Sequence, residues 1–336
     1  MKFSPKELLK YFVVLIFTGG IVWYLLDQIE LNSFKLALSE FNFWWIGLSI
    51  LLSILSHFIR AWRWNLMLES TGHKASLTNG YFAVMIGYLA NSIFPRLGEV
   101  TRCGIIHKTD NVPIPTSLGT VVTERVIDLF MLLLATTLTF LLQFNLLKEF
   151  FFEGFSTFQE KLINSWWILA IMMVLGSGAL YLLFYTKIGR KIKLVAKIQE
   201  FLKGLWMGII SLKNIQSQSK FWGATLSIWV LYFFMLYVIT FGSSMTEDIG
   251  ILAGLSILVM GSFGMASPIP NGIGVFHSLV AGVLVLYGIK NEDGIIFATI
   301  MHTSQFLTVL VIGSLSLVLV NLRRKKQEAI EKRTQN

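Results

Sequence analysis

The chain has one cysteine in 336 residues, Cys103, which excludes an intramolecular disulfide and any multi-cysteine metal site. That cysteine reads as a small packing residue. Charge is scarce as well. Only 14% of the residues are Asp, Glu, Lys or Arg, against 54% hydrophobic, where a soluble domain carries about 25% charged residues. With a mean hydropathy of +0.67, the composition excludes an ordinary soluble fold. Polar interruptions are short, so no sizeable soluble domain fits between the apolar blocks.

Those blocks predict helices that cross a bilayer, near 11–29, 43–60, 117–144, 166–186, 221–242 and 294–320. Each holds about 18 residues or more, enough for a hydrocarbon core about 30 Å thick. No small-residue cleavage site follows the first block, so the reading is a retained anchor. Two further stretches are broken. The one at about 80–108 is interrupted by Pro95 and Gly98, and the one at about 250–288 by SPIPNGIG, Ser267 to Gly274. The expected fold is therefore an all-α polytopic membrane protein, with about six full spans plus two broken or re-entrant helical hairpins. Residues 1–322 form the transmembrane domain, with a basic amphipathic loop at 187–220 inside it and a basic tail at 323–336.

Charge alternates along the loops. The N-terminal segment carries Lys2, Lys6 and Lys10 against Glu7, whereas 27–40 carries three acids against Lys35. The stretch 187–220 holds eight basic residues against Glu200, while Glu247 and Asp248 stand alone. By the positive-inside rule both termini are cytoplasmic, in a multi-pass protein of the cell (inner, cytoplasmic) membrane. That pattern requires each broken segment to enter and leave on one side, 80–108 from the cytoplasm and 250–288 from outside. The formal net charge of +9 does not indicate nucleic acid, because the basic residues sit beside spans, where anionic lipids of the inner leaflet attract them. In the same way Arg60-Ala-Trp-Arg-Trp64 reads as an interfacial belt with snorkelling arginines.

The charges inside apolar sequence call for partners. If 98–108 resumes as helix, Glu99 and Arg102 share a face and Arg96 lies near it. In TVVTERVIDL, Glu124 and Asp128 stack four residues apart and repel unless a cation approaches. In sequence the nearest cations are Arg96 and Arg102. With Arg125, the three arginines balance Glu99, Glu124 and Asp128, a neutral set that a low-dielectric site tolerates. Such a set either locks the hairpin to the next span or receives an anionic headgroup. At the second break, Pro268 and Pro270 prevent a continuous helix, Gly272 and Gly274 allow a tight turn, and Asn271 lies between them. Backbone amides at the following helix start offer a weak anion site. Two breaks entering from opposite sides also mark a carrier built on inverted repeats, here on topology alone. His57, His277 and His302 read as hydrogen-bonded core histidines rather than metal ligands.

FPRLGEVTR, then TERVIDL, then PIPNGIGVFH together resemble the flippase-like membrane family. It includes the N-terminal flippase domain of lysylphosphatidylglycerol synthases, the multiple peptide resistance factors. The resemblance covers nearly the whole chain. It implies movement of a phospholipid or lipid-linked headgroup between leaflets, without a cofactor. It points to Arg96, Gly98, Glu99, Arg102, Glu124, Arg125, Asp128, Pro270, Gly272 and Gly274. This chain has Pro270-Asn271-Gly272 where the family reads Pro-Gly-Gly, and His277 where a glutamate commonly stands. No synthase-like domain is expected after the tail, so the resemblance implies a carrier rather than an enzyme. A membrane-embedded lipid or glycolipid transferase, or an accessory subunit of an envelope-lipid or polysaccharide pathway, is the alternative.

The topology is open to test with single cysteines in a Cys103→Ala background and a membrane-impermeant thiol reagent on intact cells. Ser244→Cys is expected to label and Ser217→Cys to stay unlabelled; the reverse pattern overturns cytoplasmic termini.

Overall fold

A computed structural model describes residues 31–94, 96–144, 213, 215 and 217–334. The spans expected near 11–29 and 166–186 lie outside these residues, as does nearly all of the 187–220 loop. Among the described residues every regular element is a helix: α1 (Leu31–Glu40), α2 (Phe43–Glu69), α3 (Leu77–Ile93), α4 (Leu97–Asp110), α5 (Ile114–Leu142), α6 (Gln218–Tyr237), α7 (Ile251–Ala266), α8 (Val275–Leu286) and α9 (Asn291–Thr334). Four helical stretches are long and apolar enough to cross a membrane: Phe43–Glu69, Ile114–Leu142, Gln218–Gly242 and Asn291–Arg323. The last does not stop where the basic tail begins; α9 runs on to Thr334.

Local chemistry sets the helix ends. Asn42 caps α2 by accepting the Trp44 N–H at 3.1 Å. Asn111 closes α4 in the left-handed conformation, with φ 55°, and Pro113 precedes α5, where a missing N–H is harmless. Between α3 and α4 the chain breaks: Phe94 is extended and Arg96 is left-handed, with φ 66°. The second break holds a single 3-10 turn, Pro270–Gly272, between α7 and α8.

The two broken segments form hairpins. At about 1.5 Å per residue, α3 and α4 span about 26 and 21 Å, and α7 and α8 about 24 and 18 Å, each short of a hydrocarbon core of about 30 Å. The arms of each hairpin pack on each other, and α9 lies against both α3 and α8. Glycine permits the closest of these contacts. A Cβ on Gly98 would lie 2.1 Å from the Gly87 carbonyl oxygen, and one on Gly264 would lie 2.6 Å from the Phe276 Cα. The α3–α4 and α7–α8 crossings are thus backbone against backbone.

Helix α2 shows which solvent the bundle is built for. Its buried face is polar, with Ser49, Ser53, Ser56, His57, Arg60 and Arg63, while Leu51, Leu55, Phe58 and Trp62 face outward. That inverts the pattern of a soluble helix and suits a bilayer, where polar groups must be satisfied inside the protein. Two apolar cores flank the polar interior. One is built from α6 to α9 around Ile228, Ile257, Phe276, Val280 and Phe297. The other lies where α2 to α5 meet, around Trp64, Leu68, Val84, Cys103 and Ile106.

The Gly87–Gly98 crossing yields a direct stability test. Gly98→Ala forces backbone apart and is expected to destabilise by about 1–3 kcal/mol or more. Gly104→Ala, on the same helix with open space around it, is expected to leave the thermal unfolding midpoint in detergent unchanged or raised. Equal midpoints for the two variants overturn the close-approach reading.

Candidate functional site

Glu124, on α5, has no exposed surface, and the site is built around it. A carboxylate desolvated to this degree requires cations at contact distance. Helix α2 supplies two. Arg60 Nε lies 2.6 Å from Glu124 Oε1 and Arg63 Nη2 lies 3.2 Å from it. Helix α4 supplies the third, with Arg102 Nη2 2.6 Å from Glu124 Oε2. One turn along α5, Asp128 is gripped by the same two α2 arginines: Arg60 Nη2 is 2.6 Å from Oδ2, and Arg63 Nη2 is 2.8 Å from Oδ1.

The guanidiniums are held on their far sides too. Arg60 Nη1 donates to the Tyr232 hydroxyl on α6 at 2.8 Å, and Arg63 Nη1 reaches Thr225 Oγ1 at 3.5 Å. Arg102 lies over the Trp64 ring, 4.7 Å from its centre, in cation–π contact. Trp64 is itself fixed by its Nε1–H, which donates to Thr120 Oγ1 at 2.9 Å. Four helices thus converge on two carboxylates.

Beside this cluster, Arg125 donates to Glu99 Oε1 at 2.6 Å, a half-exposed pair. A small cleft runs from this pair to the buried network, lined by Arg60, Tyr88, Asn91, Glu99, Arg102 and Arg125. Gly98 forms part of its floor, its N–H donating to Asn91 Oδ1 at 2.7 Å. Three buried polar atoms of the lining residues, Arg60 Nε, Arg102 Nε and Glu99 Oε2, have no hydrogen-bond partner among the described residues, Arg60 Nε being in ion-pair contact with Glu124 alone.

These positions correct the sequence reading at two points. The arginines of the α2 belt are interior rather than interfacial: Arg60 is 5% exposed and Arg63 0%, while Trp62 faces outward. Arg96, expected near Glu124 and Asp128, is instead exposed at the break and joins no ion pair among the described residues. Its place is taken by the α2 arginines, in register with the carboxylates because Arg60 and Arg63 are spaced i, i+3 and Glu124 and Asp128 i, i+4. That spacing was the sequence signal for them. The expected neutral balance changes as a result. Three guanidiniums meet two carboxylates in the buried network, leaving one unit of positive charge, while Arg125 and Glu99 cancel alongside.

The second break lies against the first. Asn271, left-handed with φ 52°, donates from Nδ2 to Ser92 Oγ at the end of α3 at 3.1 Å. Gly272 and Gly274 adopt positive φ, 64° and 86°. Pro268 is exposed and Pro270 half-buried. His277 and His302 are both buried, with ring centres 4.8 Å apart. Residue 95 lies outside the described residues.

This is a helical, multi-pass membrane protein whose interior is organised by ion pairs and two broken hairpins. Its residues 10–313 match the family described as lysylphosphatidylglycerol synthase TM region, and the chain belongs to that family. It is 24% identical over 291 residues to a UPF0104 membrane protein of Methanocaldococcus jannaschii, covering 78% of this chain and 84% of that one. No solved structure matches the chain.

The charge imbalance gives an asymmetric prediction for stability. Glu124→Gln leaves three guanidiniums facing one carboxylate and is expected to destabilise by about 3–5 kcal/mol. Arg102→Met leaves two facing two and is expected to lose less. The double variant restores the parent surplus and is expected to recover part of the Glu124→Gln loss in a denaturation cycle. Purely additive losses reject direct pairing of Arg102 with Glu124.

Proposed function

We propose that the protein binds the anionic headgroup of a phospholipid or lipid-linked molecule and moves it between leaflets. The observation that carries this reading is the surplus cation of the buried network at the base of an open cleft. An anion entering the cleft brings the set of charges to neutrality, the state a low-dielectric site favours. Arg102 and Arg60 line the cleft, and a guanidinium fork matches the geometry of a phosphate. Glu124 competes for the same donors, so binding exchanges one set of ion pairs for another, a two-state element that ligand affinity can bias.

Membership of a family named for the membrane region of a lipid-modifying synthase agrees with a lipid ligand. A carrier is favoured over an enzyme because the buried carboxylates are committed to guanidiniums, which leaves neither placed as a general base. In this reading both termini are cytoplasmic, the transmembrane domain extends to residue 322, and the basic residues of 187–220 and 323–336 lie on the cytoplasmic side, where anionic lipids of the inner leaflet attract them.

The test is reconstitution in phosphatidylcholine liposomes carrying a trace of labelled phosphatidylglycerol, with an external quencher reporting exchange between leaflets. Arg102→Lys keeps the charge and loses the fork, and is expected to slow exchange about tenfold, equivalent to about 1.4 kcal/mol. Arg96→Lys, outside the network, is expected to match the parent. Parent vesicles that behave as protein-free ones for every anionic lipid tried overturn the reading. An Arg102→Lys variant as fast as the parent makes the arginine a structural lock.

A further inference from the structure

His277 and His302 sit behind the second break, away from the arginine network, and their partners fix their protons. The Gly274 N–H, 3.2 Å away, points at His277 Nδ1, so that nitrogen is the acceptor and Nε2 carries the hydrogen. His302 Nε2 lies 2.9 Å from the Asn271 carbonyl oxygen; a carbonyl only accepts, so this nitrogen carries the hydrogen and Nδ1 is the open position. A proton added to His277 Nδ1 would turn the Gly274 contact into donor against donor. A proton added to His302 Nδ1 breaks no hydrogen bond among the described residues.

We propose that His302 is a proton-binding site whose occupancy tightens the contact between the two chain breaks. Three features receive the charge: the Asn271 carbonyl, the ring of Phe276 with its centre 5.1 Å away, and a neutral His277. Charging His302 makes its bond to Asn271 charge-assisted, about twice as strong as the neutral one. Asn271 holds a left-handed conformation, which asparagine adopts more readily than other side-chain-bearing residues because its short amide can hydrogen-bond nearby. In that conformation its Nδ2 donates to Ser92. The carbonyl and the side chain of one residue therefore link His302 to the end of α3. Protonation holds Asn271 in place, and loss of the proton loosens the link.

The other charged groups are placed elsewhere. Helix α7 carries none, and α3 carries Tyr81 and Tyr88 only. On α2, Arg60 and Arg63 are committed to Glu124 and Asp128, His57 faces Ser53 and Tyr88, and Glu69 is the last residue of the helix. On α9, Glu292 and Asp293 lie in the first turn, about two and a half turns before His302, and Arg323 lies over Phe82. The proposal does not depend on what the arginine cluster receives.

The experiment measures the seam itself. Spin labels at Leu97→Cys and Met265→Cys, two exposed positions flanking the breaks, are introduced into a Cys103→Ala background in phosphatidylcholine nanodiscs. The distance distribution between them is expected to narrow as the pH is lowered from about 8 to about 4, a range that extends below that of a free imidazole. His302→Gln is expected to remove that dependence, and His277→Gln and His57→Gln to retain it. A distribution indifferent to pH in the parent, or one that still responds in His302→Gln, overturns the proposal. Imidazole nitrogen spectra of the parent, with its five histidines assigned from the remaining single variants, supply the second measurement if His302→Gln does not fold. His277 is expected to stay neutral with the hydrogen on Nε2 while His302 becomes an imidazolium. A His302 that stays neutral down to about pH 4, well below the range of a free imidazole, overturns the assignment.

Discussion

A carboxylate without exposed surface, in a bundle whose outer face is hydrocarbon-like, has to be surrounded by cations, and Glu124 meets that requirement from three directions. Arg60 and Arg63 come from α2 and Arg102 from α4. Because Glu124 sits on α5 and Arg60 also holds Tyr232 on α6, one desolvated group registers four helices. Apolar packing alone does this poorly inside a bilayer, since lipid tails are as apolar as leucine and helices gain little by burying such surface against each other. The ion pairs supply the directionality, and the glycine crossings supply the close fit.

The same arrangement makes the site chemically responsive. Two carboxylates and three guanidiniums are an unequal set, which leaves one unit of positive charge in the buried network. A fully balanced network of equal burial would serve as a lock alone. The half-exposed Arg125–Glu99 pair, beside the cleft, contributes little to stability in a polar surrounding.

Much of this was legible in the sequence, and the errors are physical ones. The spans within 31–144 and 217–334 were readable because long apolar runs have few alternatives. Both breaks were readable from proline and glycine inside such runs, and Glu124–Asp128 announced a need for cations. What failed was the choice of partner. Arg96 and Arg102 were both named for lying near α5 in sequence; Arg102 does reach Glu124, whereas a left-handed turn at the break turns Arg96 outward. Arg60 and Arg63 were assigned to an interface because arginines near the end of a span often snorkel. The inward-facing serines on the same side of α2, Ser49, Ser53 and Ser56, mark that face as the protein interior, and pairing those serines with the arginines would have corrected the assignment. The Asn271–Ser92 contact had no sequence signal, because it joins residues 179 positions apart through short side chains.

The distribution of strong and weak contacts decides where such a molecule can move. The half containing α2, α4, α5 and α6 is pinned by charged groups whose separation leaves buried ions unpaired, at about 3–5 kcal/mol for each lost partner. The half containing α7, α8 and α9 is held by apolar packing around Phe276, Val280 and Phe297. Where the second break meets α3, the polar link is the neutral Asn271–Ser92 hydrogen bond, worth about 0.5–1.5 kcal/mol net. The facing breaks are thus joined by a weaker polar contact than the arginine network, at points where the backbone already departs from helical geometry.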